Sequence, residues 1–223
     1  MASKSKFILG LDVSTKTIGV AVYEDKGVKG ELKILTHVTP KIKPLPESSI
    51  EQLIKKGDIF ESDFLNNYSD FGISRVIIEE PLLRSNNVNT VATLLRFNGM
   101  VCRSVYQKLG VIPEFISSFD ARKYAFPELM AIRTHNKKGI KYPNKQIQKK
   151  IDNDEKTLFG AYPWDIDKKK LVWEKIADLE PQITWVYNRN NVLAKENFDM
   201  SDAAVAVLGF MNKIGEWDPS NRK

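Results

Sequence analysis

The order of strand-like and helix-like segments is the feature that most restricts the folds open to this chain of 223 residues. Three strand-like segments, residues 6–12, 17–23 and 31–38, precede the first helix, and a tight polar turn between the first two favours an antiparallel meander. Two alternations of helix and strand follow, and then a long insertion and a last helix. This order predicts an α/β fold with a mixed five-stranded sheet, a three-strand antiparallel meander and then two parallel strands, flanked by helices.

Local signals indicate where the later segments begin and end. Ser48 followed by Glu51 is the pattern of a capping box, which predicts the start of the first helix. The other expected segments are strands at 74–79 and 113–118, a helix at 88–109, an irregular stretch at 120–198 and a last helix from near Ser201 to Lys213.

The few cysteine and histidine residues limit the kinds of metal site and compartment that fit the chain. Cys102 is the single cysteine, and His37 and His135 are the two histidines, so neither an internal disulfide nor a Cys/His zinc cluster is expected. A metal would therefore be held by carboxylates, which favour magnesium or manganese. No apolar run reaches the roughly 18 residues of a membrane span, and no secretory signal is visible. We expect a cytoplasmic protein without a membrane partner.

Positive charge is concentrated in one segment of the chain. The formal net charge is +6, yet residues 121–150 alone contain nine basic side chains and one acid, Glu128. Such a concentration is typical of a surface that faces the phosphates of a nucleic acid. A solvated basic loop without a partner is the alternative interpretation.

Four acidic residues stand where a fold of this kind would bring them together. Asp12 closes the first apolar strand, Glu79 closes the fourth, and Asp199 and Asp202 are three residues apart at the expected helix start. Each has an ordinary explanation alone, as a turn residue, a helix cap or an exposed acid. Together they predict a carboxylate cluster whose mutual repulsion a cation would relieve, and two magnesium ions at such a cluster can hydrolyse a phosphodiester.

The motifs around these acids resemble those of the RuvC-type Holliday junction resolvases. Residues 12–22, DVSTKTIGVAV, are similar to the family's first acidic strand and the glycine that follows it, and residues 76–79, VIIE, resemble its second acidic strand. Residues 199–204, DMSDAA, resemble its final acidic helix, and residues 119–123, FDARK, its basic segment. All four occur in the family's chain order.

The resemblance implies a single ribonuclease H-like nuclease domain over 1–223, with a basic and aromatic insertion at about 126–196. It implies a crossover junction endodeoxyribonuclease in which Asp12, Glu79, Asp199 and Asp202 are both the catalytic residues and the ligands of two Mg²⁺ ions, for which Mn²⁺ can substitute. The partner would be a four-way DNA junction, bound by a homodimer in recombination or replication. A viral or mobile-element origin is consistent with the long insertion. The expected DNA-binding residues are Arg84, Arg122, Lys123, Lys137, Lys138, Lys141 and Lys145.

Other functions share parts of this pattern. A ribonuclease H-like nuclease acting on forks, flaps or RNA–DNA hybrids would carry the same carboxylates, which define the chemistry and not the substrate. An ATP-binding protein of the actin and sugar-kinase type also begins with Gly-x-Asp, here Gly10 to Asp12, but needs a second phosphate loop that this sequence lacks. A non-catalytic nucleic-acid-binding module would gain by losing acids beside DNA. Whether Glu80 contributes to the site is left open.

Overall fold

A computed structural model describes residues 6–81, 87–158 and 167–221. Its main sheet has the strand order β3-β2-β1-β4-β5, in which β1, β2 and β3 are antiparallel neighbours while β4 and β5 run parallel to β1. The mixed five-stranded sheet predicted from the sequence is thereby confirmed. The strands are β1 Phe7–Val13, β2 Ile18–Asp25, β3 Gly30–Val38, β4 Ile73–Glu79 and β5 Glu114–Ile116, with β6 Met130–Ile132 and β7 Lys156–Leu158 in a separate two-stranded sheet.

The helices cover both faces of the main sheet. A π-helical turn, Glu61–Leu65, and a 3₁₀ turn, Ser69–Phe71, flank a short helix at Asn66–Tyr68. The helices are α1 Ser49–Phe60, α2 Asn66–Tyr68, α3 Val88–Leu109, α4 Ser118–Ala125, α5 Asn144–Asp152, α6 Lys168–Leu179 and α7 Glu196–Lys213. No helix within the described parts of the chain combines the length and the apolar character that crossing a bilayer requires.

Alternation along the central strands decides which side chains meet which helix layer. In β1, Leu9 and Leu11 pack in the core with α1 and α3, whereas Ile8 packs in the core with α4, α6 and α7. Successive side chains of a strand point to opposite faces, so Asp12 shares the α7 face with Ile8. Ile77 lies in the same core as α7, so by the same rule Glu79 also faces α7.

Helix α7 lies against the sheet at backbone distance because glycines face it. A Cβ atom on Gly10 of β1 would overlap the carbonyl oxygen of Ala203, and one on Gly19 of β2 would overlap that of Asp199. On its other side, Gly209 of α7 meets the backbone of Ala121 in α4 equally closely. These contacts fix the height of the acidic helix above the strand ends.

Two expectations about the second half of the chain are wrong. The stretch 120–198 is not irregular, since it contains α5, α6 and the strands β6 and β7. The last helix begins at Glu196 and not near Ser201, because the buried side chain of Asn197 hydrogen-bonds the backbone of Val186 and Ala194 and fixes an earlier entry. Asp199 therefore lies in the first turn of α7 and Asp202 in the second.

Replacing Gly19 by alanine should lower the free energy of unfolding by roughly 3 kcal/mol, since the methyl group must push α7 off the sheet. Gly99→Ala is the matched control, because Gly99 is exposed in the middle of α3 and an added methyl group there would meet open space. This control should be neutral or stabilising by about 0.5–1 kcal/mol. Urea unfolding of both variants measures the difference, and equal effects would show that α7 does not depend on this glycine.

Candidate active site

The parallel pairing of β1 with β4 places the first two acids side by side. Leu11 pairs with Ile78 in this ladder, and Asp12 and Glu79 are the next residue of each strand. Both side chains are partly buried and face α7. Ending two buried strands with carboxylates at one sheet edge is costly unless cations or hydrogen-bond donors reach them.

Helix α7 brings the other two acids to the same edge. Asp12 pairs with Gly19 in the antiparallel ladder, and the backbone of Asp199 lies directly on Gly19. Asp202 follows one turn later with only 3% of its surface exposed. The negative charges of Glu79, Asp199 and Asp202 all raise the pKa of Asp12. The four acids predicted from the sequence therefore lie within one electrostatic cluster.

Two basic side chains contact the acids of α7. The guanidinium Nη2 of Arg122, on α4, lies 2.9 Å from Oδ1 of Asp202, and this ion pair is largely buried. The Nζ atom of Lys169, on α6, lies 3.7 Å from Oδ1 of Asp199 and 3.7 Å from Oδ2 of Asp202. Lys169 was absent from the sequence-based site; the run Lys168–Lys170 at the start of an amphipathic helix is the signal that could have marked it.

Burial dominates the ionisation of the strand acids. It raises the pKa of Asp12 well above its ordinary range, with the charges of Glu79, Asp202 and Asp199 adding to the effect. Burial also raises the pKa of Glu79 to about 8, with Asp202 contributing, while Arg122 and Lys169 oppose the shift. The pKa of Asp199 is raised by burial and held down by Lys169. Burial and mutual repulsion thus disfavour the charged forms of the two strand acids.

The donor chemistry of the cluster suits a hard divalent cation. Oε2 of Glu79 is buried and has no hydrogen-bond partner in the described part of the chain, which leaves a carboxylate oxygen available as a ligand. Carboxylate oxygens are the ligands that magnesium and manganese prefer. As the side chains stand, no three acidic, histidine or cysteine residues among those described close around an ion. Arg122 and Lys169 supply the positive charge in this arrangement.

Four of the seven predicted DNA-binding residues belong to the insertion. Arg122 precedes the insertion and forms an ion pair with Asp202 of the cluster. Lys123 lies beside it with its Nζ atom 5.3 Å from the ring centre of Tyr124, and Arg84 falls outside the described residues. The four predicted lysines of the insertion are all exposed: Lys137, Lys138, Lys141 and Lys145.

Comparisons with known proteins support the fold. No family model matches the chain, and no curated protein does. Among solved structures, Thermus thermophilus RuvC in complex with a Holliday junction substrate is similar at 11% identity and a TM-score of 0.50, covering 95% of this chain and 97% of that one. The yeast mitochondrial Holliday junction resolvase is similar at 11% identity and a TM-score of 0.53, covering 94% of this chain and 79% of that one. The fold is therefore ribonuclease H-like, as the sequence predicted.

The raised pKa of Glu79 predicts how stability depends on pH. Its value rises from an ordinary 4.5 to about 8, so the folded protein binds this proton more tightly than the unfolded chain does. The free energy of unfolding without metal should therefore fall as pH rises from about 4.5 to about 8. Glu79→Gln should make that fall shallower, whereas Glu80→Gln, at an exposed neighbour, should not. Urea unfolding across this pH range measures both slopes, and identical slopes would contradict the assignment.

Proposed function

We propose that this protein is a metal-dependent endonuclease that hydrolyses DNA phosphodiester bonds, with the four-way junction as its substrate. The observation that supports this proposal is the arrangement of acids from three separate elements at one edge of a ribonuclease H-like sheet. Asp12 and Glu79 come from β1 and β4, and Asp199 and Asp202 come from α7. A binding module has no need to bury four acids beside the polyanion that it binds.

The acids and their neighbours would divide the chemistry between them. Asp12, Glu79, Asp199 and Asp202 would hold Mg²⁺ or Mn²⁺, and bound ions of this kind activate water and stabilise the leaving oxygen of a phosphodiester. Arg122 orients the Asp202 carboxylate through its 2.9 Å contact. The side chain of Ser118 lies close enough to Glu79 to lower the pKa of that carboxyl group, which favours the charged form that binds a cation.

Lys169 is suited to meet the substrate. Its side chain is 54% exposed, although its ammonium group lies 3.7 Å from two carboxylates, so it stands at the solvent edge of the cluster. In our proposal the ammonium group of Lys169 would attract the scissile phosphate. The exposed lysines of the insertion would hold the DNA arms through their phosphates.

Two features together favour a branched DNA substrate over other nucleic acids. One is the likeness of the fold to Holliday junction resolvases, and the other is the set of sequence motifs around the four acids. A nuclease of the same fold that acts on forks, flaps or RNA–DNA hybrids remains the second candidate, because the carboxylates define the reaction and not the substrate.

The dimer is also part of the proposal. Helix α3 exposes Leu95 and Tyr106 beside Arg96 and Arg103, which gives a mixed surface of the kind found in non-obligate interfaces.

Cleavage should require Mg²⁺ or Mn²⁺ and should stop with EDTA. Asp12→Asn should lower the cleavage rate of a labelled immobile four-way junction by several orders of magnitude while retaining junction binding, since the acid holds metal and not DNA. Asp58→Asn is the control, an exposed acid on α1 at the other face of the sheet. Forks, flaps, RNA–DNA hybrids and plain duplex should be cut more slowly. Full activity in EDTA would refute the metal reaction, and faster cutting of a hybrid would transfer the proposal to the second candidate.

A two-fold dimer presents two equivalent active sites to the two equivalent strands of a junction. We expect light scattering to show two protomers on one junction, and gel analysis to show paired nicks at opposed positions. Tyr106→Glu, on the exposed side of α3, should weaken the dimer, whereas Val28→Glu, at the exposed β2–β3 turn, should not. A one-to-one complex that still makes both nicks would rule out the symmetric arrangement and leave the metal chemistry untouched.

A further inference from the structure

The loop from Tyr187 to Leu193, which we name the 187 loop, has a fixed internal architecture. Tyr187 and Leu193 form an antiparallel bridge at its base. The Oδ1 atom of Asn188 accepts hydrogen bonds from the backbone N–H groups of Asn190, at 2.9 Å, and Val192, at 3.0 Å. Asn191 closes the turn with a φ of 57°, in the left-handed region that asparagine tolerates. These bonds limit the conformational freedom of the loop before it meets any partner.

The same architecture occurs a second time in the insertion. His135 and Lys141 form the bridge, Oδ1 of Asn136 accepts from the N–H groups of Lys138 and Ile140, and Gly139 has a φ of 74°. Corresponding positions carry Lys137 and Arg189 after the asparagine, and Ile140 and Val192 after the left-handed residue. Both loops thus display a basic and a branched apolar side chain, but the 187 loop alone adds an exposed tyrosine.

The 187 loop is tied to the acidic helix. Asn197 lies two residues before Asp199, and its side chain is fully buried. This side chain accepts a hydrogen bond from the N–H of Val186 at 3.0 Å and donates one to the carbonyl oxygen of Val186 at 2.6 Å. One residue further back, the ring of Trp185 packs edge-on against Trp173 of α6. One peptide step, the Asn197 side chain with its hydrogen bond to Val186, and two helical residues separate the Cα atoms of Tyr187 and Asp199, roughly 18 Å at most.

The surface of the 187 loop has the chemistry of a base-stacking site. Tyr187 is 51% exposed and Val192 is 57% exposed on a backbone that is otherwise held in place. Arg189 is exposed and makes no ion pair within the described residues, and the run 186–195 contains no acid. An aromatic ring with adjacent positive charge stacks on a nucleobase irrespective of its sequence and holds the neighbouring phosphate.

We infer that the 187 loop is a prong that stacks Tyr187 on an unpaired nucleobase of branched DNA next to the carboxylate cluster. This inference rests on the proposed function for the identity of the polymer. Paired bases in an intact duplex offer the ring no free face, so the contact gives preference for DNA that is open near the cleaved bond. Arg189 binds the phosphate backbone of DNA, which adds affinity for any DNA but no preference for open DNA.

The test measures binding without cleavage, in EDTA, with the full chain. A four-way junction carrying an unpaired 2-aminopurine at the branch point should lose fluorescence when the protein binds, because the free base stacks on Tyr187. Tyr187→Ala should abolish this quenching and weaken junction binding about ten-fold to a hundred-fold, while binding to duplex of equal length changes less than about two-fold. Tyr187→Phe should retain both the quenching and the affinity.

Two further variants separate stacking from charge and from folding. Arg189→Ala should weaken binding to junction and duplex alike, and Tyr187→Ala should melt at the temperature of the unaltered protein because the side chain is exposed. Quenching that survives Tyr187→Ala, or an equal loss on junction and duplex, would overturn the inference. If Tyr187→Ala cleaves the junction in Mg²⁺ at the rate of the unaltered protein, the stacking role of Tyr187 is overturned and the proposed function stands. Tyr187-dependent quenching without any cleavage would overturn the proposed function alone.

Discussion

The contact between helix α7 and the sheet is the constraint on which the candidate site depends. Gly10 and Gly19 leave no side chain between the strands and the helix, so the two backbones touch. Asp199 and Asp202 are consequently held at a fixed height above the ends of β1 and β4. A larger residue at either glycine would lift the helix and move its two acids away from Asp12, which makes the packing of this helix inseparable from the geometry of the cluster.

That packing also creates the electrostatic problem of the site. It moves carboxylates out of water and towards one another, so burial raises the pKa of Asp12 and of Glu79. Arg122 and Lys169 compensate part of the negative charge, and each does so from a different helix of the second half of the chain. This arrangement destabilises the folded state. The burial of the two apolar layers that enclose the sheet offsets most of that cost.

The parts of the structure that the sequence predicted well are those with local signals. The places of Asp12 and Glu79 near the ends of β1 and β4 could be predicted because an apolar run stops at each acid, and parallel pairing then brings those acids together. Helix α3 could be predicted at both ends, since Asn87 caps its start and Gly110 ends it with a φ of 68°. The start of α7 was missed because it depends on Asn197 bonding to Val186, eleven residues away.

The insertion escaped prediction for the same physical reason, and that reason bears on its role. Strands β6 and β7 are three residues each, too short for an alternation pattern, and Lys169 reaches Asp199 only because Val172 and Ile176 seat α6 in the core beside α7. Such contacts join the insertion to the acidic helix from two sides, through α6 and through Asn197. An appendage on a flexible tether could bind DNA but could not position it relative to the acids. An insertion packed on α7 can do both, so its surface loops can change substrate preference while the carboxylates keep their places.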